Sequence, residues 1–313
     1  MKYTKLTLSF LLLFSITVYS QDYNQTKKNI VKSIENHEEE IIKISDKIWE
    51  LAETAFNEHE SSKLLSDYAE ANGFTLERGV AGMPTAFVAT YGEGKPVISV
   101  LGEVDALPGL SQDTTPSKKP LIDGGNGHGC GHNLFGAASL ASAIAIKEQI
   151  EKGDLKGTIK FFGTPSEEKF FGKIWMVDAG LWDDVDVNIS WHPGYYTEAD
   201  VQSTLSLIDF QVEFFGQAAH ASMDPWNGRS SSDALELYTS AINYYREHVQ
   251  PTVRMHYHIQ DAGKVVNVVP DYSINTTKVV TDMNDPSHGT DVSLVKNISC
   301  YGNRDGEIQV NLS

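Results

Sequence analysis

Apolar residues recur at helical spacing from Asn29 to Phe56, at Ile30, Ile34, Ile41, Ile44, Ile48 and Leu51, which predicts a helix. A second helix is predicted from about Ser61 to Asn72, stopped by Gly73, a residue type common just past a helix end. Residues 85–92 and 96–107 then read as strands with Gly-rich turns around them. Residues 134–150 are rich in small residues and helical in pattern, and 157–165 reads as a buried strand. A short helix over 173–182 and a strand over 186–193 follow. Helices alternating with apolar strands predict an α/β sheet with helices on both faces.

The pattern changes near Thr204. Residues 205–216 alternate apolar and polar positions, as a half-solvated antiparallel strand does. Residues 231–249 form an amphipathic helical pattern with Ser and Asp at its start, and 253–260 and 271–280 read as further strands. These predict a second, smaller α+β domain. The domain reading is a segment 1–20 outside the fold, a first domain over 21–204, a second over 205–281, and a tail over 282–313 that is polar and without strong period.

The first twenty residues carry Lys2 and Lys5 before an apolar run that ends at small residues, Val18 and Ser20. This is the layout of a secretory signal peptide, too short for a comfortable membrane span. It predicts a secreted or periplasmic protein with no membrane attachment after cleavage. The net charge of -17 argues against nucleic acid or anionic lipid as partner, because the field of the chain repels polyanions. The two cysteines, Cys130 and Cys300, could pair in an exported chain, but Cys130 sits among histidines.

That setting is the sequence NGHGCGHN (126–133). Glycines there let the backbone bend so that Cys130 and His132 converge on one ion, and thiolate with imidazole suits zinc. Glu167 and Glu168 in TPSEEKF (164–170) follow a predicted strand, and a cation beside them would offset their repulsion. His192 in WHPG (191–194) ends another. Cys130, His132, Glu168 and His192 thus all fall at or just beyond predicted strand ends, where open α/β sheets gather their sites. Glu167 is left to act as general base toward a water held by the metal.

The stretches VLGEVDALPG, GHGCGHN, GTPSEE, WHP, GQAAHA and NVVPDYS occur in this order and at suitable spacing over residues 28–275. The chain resembles the M20 metallopeptidase and amidohydrolase family, and within it the aminobenzoyl-glutamate utilization branch. The resemblance implies an M20-type catalytic domain, a mixed sheet flanked by helices, with an inserted α+β lid that dimerises. It implies two divalent ions, manganese or zinc. Cys130 matches the ligand bridging them, His132, Glu168 and His192 match terminal ligands, and Glu167 matches the general base. Asp105 matches an acid that orients a ligand. Glu103 stands where the family more often has a histidine, whose place His132 takes in this branch, and His128 matches a position that is not a ligand. In the lid, His220 matches a histidine that polarises the scissile carbonyl, often in the partner's site. Asn267 matches a substrate-carboxylate contact, and Arg229 could pair with a carboxylate through its planar fork.

The tail departs from the family. Its one histidine, His288 in NDPSHGTD, does not match the family's last ligand, and the strands that complete the catalytic sheet are not recognisable in 282–313. The expectation is an incomplete catalytic domain and lid, with one of the two ions held weakly or lost. The predicted activity is hydrolysis of an N-acyl amino acid amide, with a p-aminobenzoyl-glutamate-like substrate. The alternatives are a dipeptidase of the same family, or a truncated, catalytically inactive metal- or ligand-binding homologue.

Overall fold

A computed structural model of the chain describes the backbone of residues 2–199, 205–281, 290–292 and 310–312, and the side chains of 25–199 and 205–281. The chain divides into two units, Met1–Thr197 and Glu198–Ser313.

The first unit opens with helix α1 (Lys2–Leu51). It starts far earlier than the apolar spacing predicts, and the stretch read as a signal peptide lies within it, its side chains outside the described residues. It also ends sooner than predicted, because Ala52 and Phe56 turn the backbone into the left-handed region at φ 42° and 60°. Of the expected stripe, Ile44 and Ile48 are buried, whereas Ile34 is exposed. Helix α2 (His59–Ala71) follows. Gly73, at φ 86°, closes it as the sequence suggests.

Strands β1 (Thr75–Arg78), β2 (Phe87–Glu93) and β3 (Val97–Gly102) come next. Helix α3 (His132–Glu151) and strand β4 (Gly157–Gly163) follow a long loop. Two short helices, α4 (Glu167–Phe170) and α5 (Gly172–Asp178), precede strand β5 (Val187–Ile189). The sheet order is β1-β2-β4-β3-β5. Strands β3, β4 and β5 run parallel, while β1 and β2 run antiparallel to their neighbours, so the sheet is mixed. Strand β1 is absent from the prediction, for its mostly exposed Thr-Leu-Glu-Arg has no apolar alternation to read.

Both faces of this sheet are covered. Successive strand residues point to opposite faces, and Phe161 and Phe162 of β4 are both fully buried. Phe161 packs with Ile44, Ile48, Leu65, Leu140 and Ile144 from α1, α2 and α3. Phe162 packs with Met83, Leu101, Phe135 and Met176, and stacks on Trp182 at 4.2 Å between ring centroids. The parallel strands therefore end in a loop-built rim above a two-sided core, the usual place for a site in an open α/β sheet.

The second unit holds strands β6 (Ser206–Phe215), β7 (Ala219–His220), helix α6 (Ser231–Tyr245), and strands β8 (Arg254–Asp261), β9 (Val268–Val269) and β10 (Tyr272–Thr281). Strands β6, β10 and β8 form an antiparallel sheet with β10 in the middle. Helix α6, capped by the Ser230 hydroxyl accepting from Asp233 N–H, buries Leu235 and bonds the sheet through Tyr238 and Thr277 hydroxyls 2.8 Å apart. Strands β11 (Thr290–Val292) and β12 (Val310–Leu312) pair antiparallel in the tail. His288 and Cys300 lie outside the described residues.

Candidate metal centre

The residues singled out in the first unit gather at the carboxyl ends of the parallel strands. Asp105 lies just past β3, Glu167 and Glu168 just past β4, and His192 just past β5. Cys130 and His132 come in from the loop that opens α3. Gly131, between them, sits at φ 77°, and a β-carbon there would meet the Pro193 ring at 3.0 Å. Glycine is thus required both by the backbone turn and by the close approach of the WHP segment.

His132 is fully buried. Its Nδ1 stands 3.0 Å from both the carbonyl oxygen and Oδ1 of Asp105. Both are acceptors, so Nδ1 carries the proton and donates it, which leaves Nε2 as the nitrogen that could face a metal. The other oxygen of Asp105, Oδ2, accepts the backbone N–H of Glu168 at 2.8 Å. One carboxylate therefore orients two of the predicted ligands.

Two overlapping groups of donors share His132. Ligand atoms of Cys130, His132 and His192 lie within 4.8 Å of one another, and so do those of Glu103, His132 and Glu167. Glu168 stands outside both groups, but its carboxylate meets the Cys130 thiol. The site also holds orphaned polar atoms. His132 Nε2 and Glu103 Oε2 face each other at 3.0 Å outside hydrogen-bond geometry, and they and Glu168 Oε1 are buried with no hydrogen-bond partner among the described residues. Buried polar atoms of this kind are costly unless something pairs with them. A divalent cation fits that need, and the thiolate, imidazole and carboxylate donors suit zinc or manganese.

The electrostatics agree. Burial would lower the His132 imidazole, but the hydrogen bond to Asp105 and the charge of the adjacent Glu103 carboxylate outweigh it and raise its pKa to about 10. Burial, followed by the neighbouring Glu168 carboxylate, pushes the Cys130 thiol up to about 12. Without a cation the site thus holds a protonated imidazole and a neutral thiol, and metal must displace those protons. Burial raises the Glu167 carboxyl above the ordinary range, and the charge of Glu103 adds to it.

The glutamate pair sits on strained backbone. Ser166 and Phe171, on either side of the α4 turn, adopt φ 55° and 54°. Buried Glu58 holds this turn by accepting the Ser166 N–H at 2.8 Å. Strain of this sort is kept where geometry matters. His128 is not among the donors. Its Nε2 meets the Ile48 carbonyl at 3.0 Å, and burial lowers its pKa to about 4, so it is a neutral tie between the loop and α1.

In the second unit, three distant sequence stretches converge. His220 pairs with Val268 in the short β7–β9 ladder, and Ala221 N–H donates to the Asn267 carbonyl at 3.0 Å. Gln217 and Arg229 exchange backbone hydrogen bonds of 2.8 Å. The Nδ1 of His220 accepts the N–H groups of Ser222 and Met223 at 3.3 Å and 3.2 Å. That fixes the proton on Nε2, so this exposed ring presents a donor to its surroundings.

The model of peptidase family M20/M25/M40 matches residues 99–299. The chain belongs to this family. It is 43% identical over 234 residues to one of the p-aminobenzoyl-glutamate hydrolase subunits of Escherichia coli K12, covering 74% of this chain and 49% of that protein. It is 29% identical over 259 residues to Xaa-Arg dipeptidase of Mus musculus, covering 79% of this chain and 56% of that one. The crystal structure of an aminobenzoyl-glutamate utilization protein from Klebsiella pneumoniae has the same fold, with a TM-score of 0.54 at 18% identity over 81% of this chain and 66% of that one. The chain thus spans about half the length of the curated relatives it matches.

Two residues of the site escape the sequence reading. Lys173 pairs with Glu103, and Glu58 supports the glutamate turn. Nothing in the sequence around Glu58 marks it, because its partner lies 108 residues away. Glu103 is visible in VLGEVDAL, but only the fold shows its carboxylate beside His132.

Proposed function

We propose that this M20 family member is a metal-dependent amidohydrolase acting on the amide bond of an N-acyl amino acid, with a p-aminobenzoyl-glutamate-like compound as substrate. The observation that carries the reading is the buried, orphaned His132 Nε2, oriented by Asp105, among Cys130, Glu103, Glu167 and His192. The likeness to a p-aminobenzoyl-glutamate hydrolase supports the substrate class.

Cys130, His132, Glu168 and His192 would hold the cation, manganese or zinc, with two ions in the full site. A bound divalent ion supplies the Lewis acidity that polarises an amide carbonyl and acidifies a water. The rest is done by the chain. Glu167, half-buried and with a raised pKa, takes the proton of the attacking water and returns it to the amide nitrogen as the C–N bond breaks. His220 is assigned to the developing oxyanion, since its Nε2–H is fixed as a donor. Asn267 and Arg229 are assigned to the substrate carboxylate. Residues 1–20 are assigned to export to the periplasm or medium, and the second unit to pairing of two copies as a homodimer.

The 29% identity to Xaa-Arg dipeptidase supports a second reading, a dipeptidase with the same machinery. A turnover assay with added manganese on N-acyl glutamates and dipeptides separates the two. Release of the free aryl amine supports the first reading, and cleavage of dipeptides alone overturns it. No turnover on either panel, with metal bound, would mean that this chain keeps binding without catalysis.

A further inference from the structure

We infer that Glu103 is an additional donor of the metal centre, a carboxylate that closes on the same divalent ion as His132 and is held there by Lys173. This rests on the metallohydrolase reading and goes beyond the ligand set that the family resemblance implies, in which Glu103 is a bystander and His132 takes its place.

Four observations carry it. Glu103 is 4% exposed and His132 is fully buried, so neither can turn to solvent for a partner. Lys173 takes only one oxygen of Glu103, Oε1, and leaves Oε2 aimed at the imidazole. Oε2 stands 3.0 Å from His132 Nε2, yet the pair lacks hydrogen-bond geometry and neither atom is satisfied by another described residue. Finally, Asp105 occupies Nδ1 of the ring, so an ion held by His132 must lie at Nε2, beside this carboxylate.

The separation itself is informative. Two donors bound side by side on one ion at ~2.1 Å each stand ~3.0 Å apart in octahedral geometry. The Glu103–His132 distance has that spacing before any ion is added. Lys173 then has a plain role. It neutralises one oxygen and fixes the carboxylate plane, so that the other faces the ion without a search. Glu167 lies in the same group of donors, which sets the proposed general base next to this ion.

The test is a titration of the full chain with Mn²⁺ by calorimetry and with Co²⁺ by visible absorption. Glu103→Gln keeps the size of the side chain and removes its charge. It is expected to weaken binding of one ion by roughly tenfold or more and to shift the Co²⁺ ligand-field bands, since the donor set changes. Lys173→Met leaves the carboxylate but frees it; weaker binding with wild-type Co²⁺ bands is expected, and it serves also if Glu103→Gln does not fold. Unchanged Mn²⁺ affinity and unchanged Co²⁺ bands in Glu103→Gln, alongside loss of the ion in His132→Asn, overturn the inference and leave the metallohydrolase reading standing. If Glu103→Gln cannot be purified, wild-type Mn²⁺ affinity in Lys173→Met overturns it. A wild-type chain that binds neither metal overturns both.

Discussion

Asp105 and His132 are joined at 3.0 Å between Oδ1 and Nδ1, with the imidazole fully buried and its second nitrogen lacking a hydrogen-bond partner among the described residues. The pairing sets the tautomer, and the second oxygen of the same carboxylate holds the backbone of Glu168. Asp105→Asn should therefore weaken metal binding by roughly 10–100-fold, the range seen when such supporting partners are removed. Calorimetric titration checks this, and an unchanged affinity would mean that the contact plays no part in ligation.

Glu167 should separate binding from chemistry. Glu167→Gln is expected to keep bound metal near the wild-type amount while amide hydrolysis falls by at least about 100-fold, the lower range for general acid–base catalysis. Parallel measurement of metal content and turnover tests it. Wild-type turnover in this variant would remove Glu167 from the role of general base.

The metal-free chain should lose stability as pH rises. The folded-state pKa of His132 is raised from 6.5 to about 10. Its contribution is fully present below about pH 6.5 and is lost as pH climbs through the folded value, since over that window the unfolded chain has released a proton the folded chain keeps. The raised Cys130 thiol acts in the same direction at higher pH. Thermal melts with chelator present should show a lower midpoint at pH 9 than at pH 6, and His132→Asn should flatten the difference. A midpoint that rises with pH would contradict the charge state assigned to this site.

Gly131 should resist substitution. Gly131→Ala forces a β-carbon into the left-handed region at φ 77°, 3.0 Å from the Pro193 ring. A loss of about 1–2 kcal/mol from the backbone alone is expected, with a further loss of metal affinity because Cys130 and His132 flank the turn. Chemical denaturation of the variant measures the first part.

Much of this site is legible in the sequence, for a physical reason. Its donors sit in short stretches at strand ends, where glycine or proline accompanies them, and Gly131 leaves open the space that a β-carbon would contest with the Pro193 ring. The long apolar strands and the small-residue helix α3 are equally plain, since burial on both faces leaves a dense apolar record. What stays hidden depends on packing between distant segments. Strand β1 is added by pairing with β2 rather than by its own pattern. The end of α1 is set by left-handed turns at Ala52 and Phe56 that no residue type there signals. Glu103 reads as a substitution for a ligand until the fold puts it beside His132.

The most direct test is elemental analysis of the purified chain beside its His132→Asn variant. One or two tightly held divalent ions per wild-type chain are expected, with a clear loss in the variant. A wild-type chain without metal, or a variant that keeps the same metal content, would contradict the claim that these residues form a metal centre.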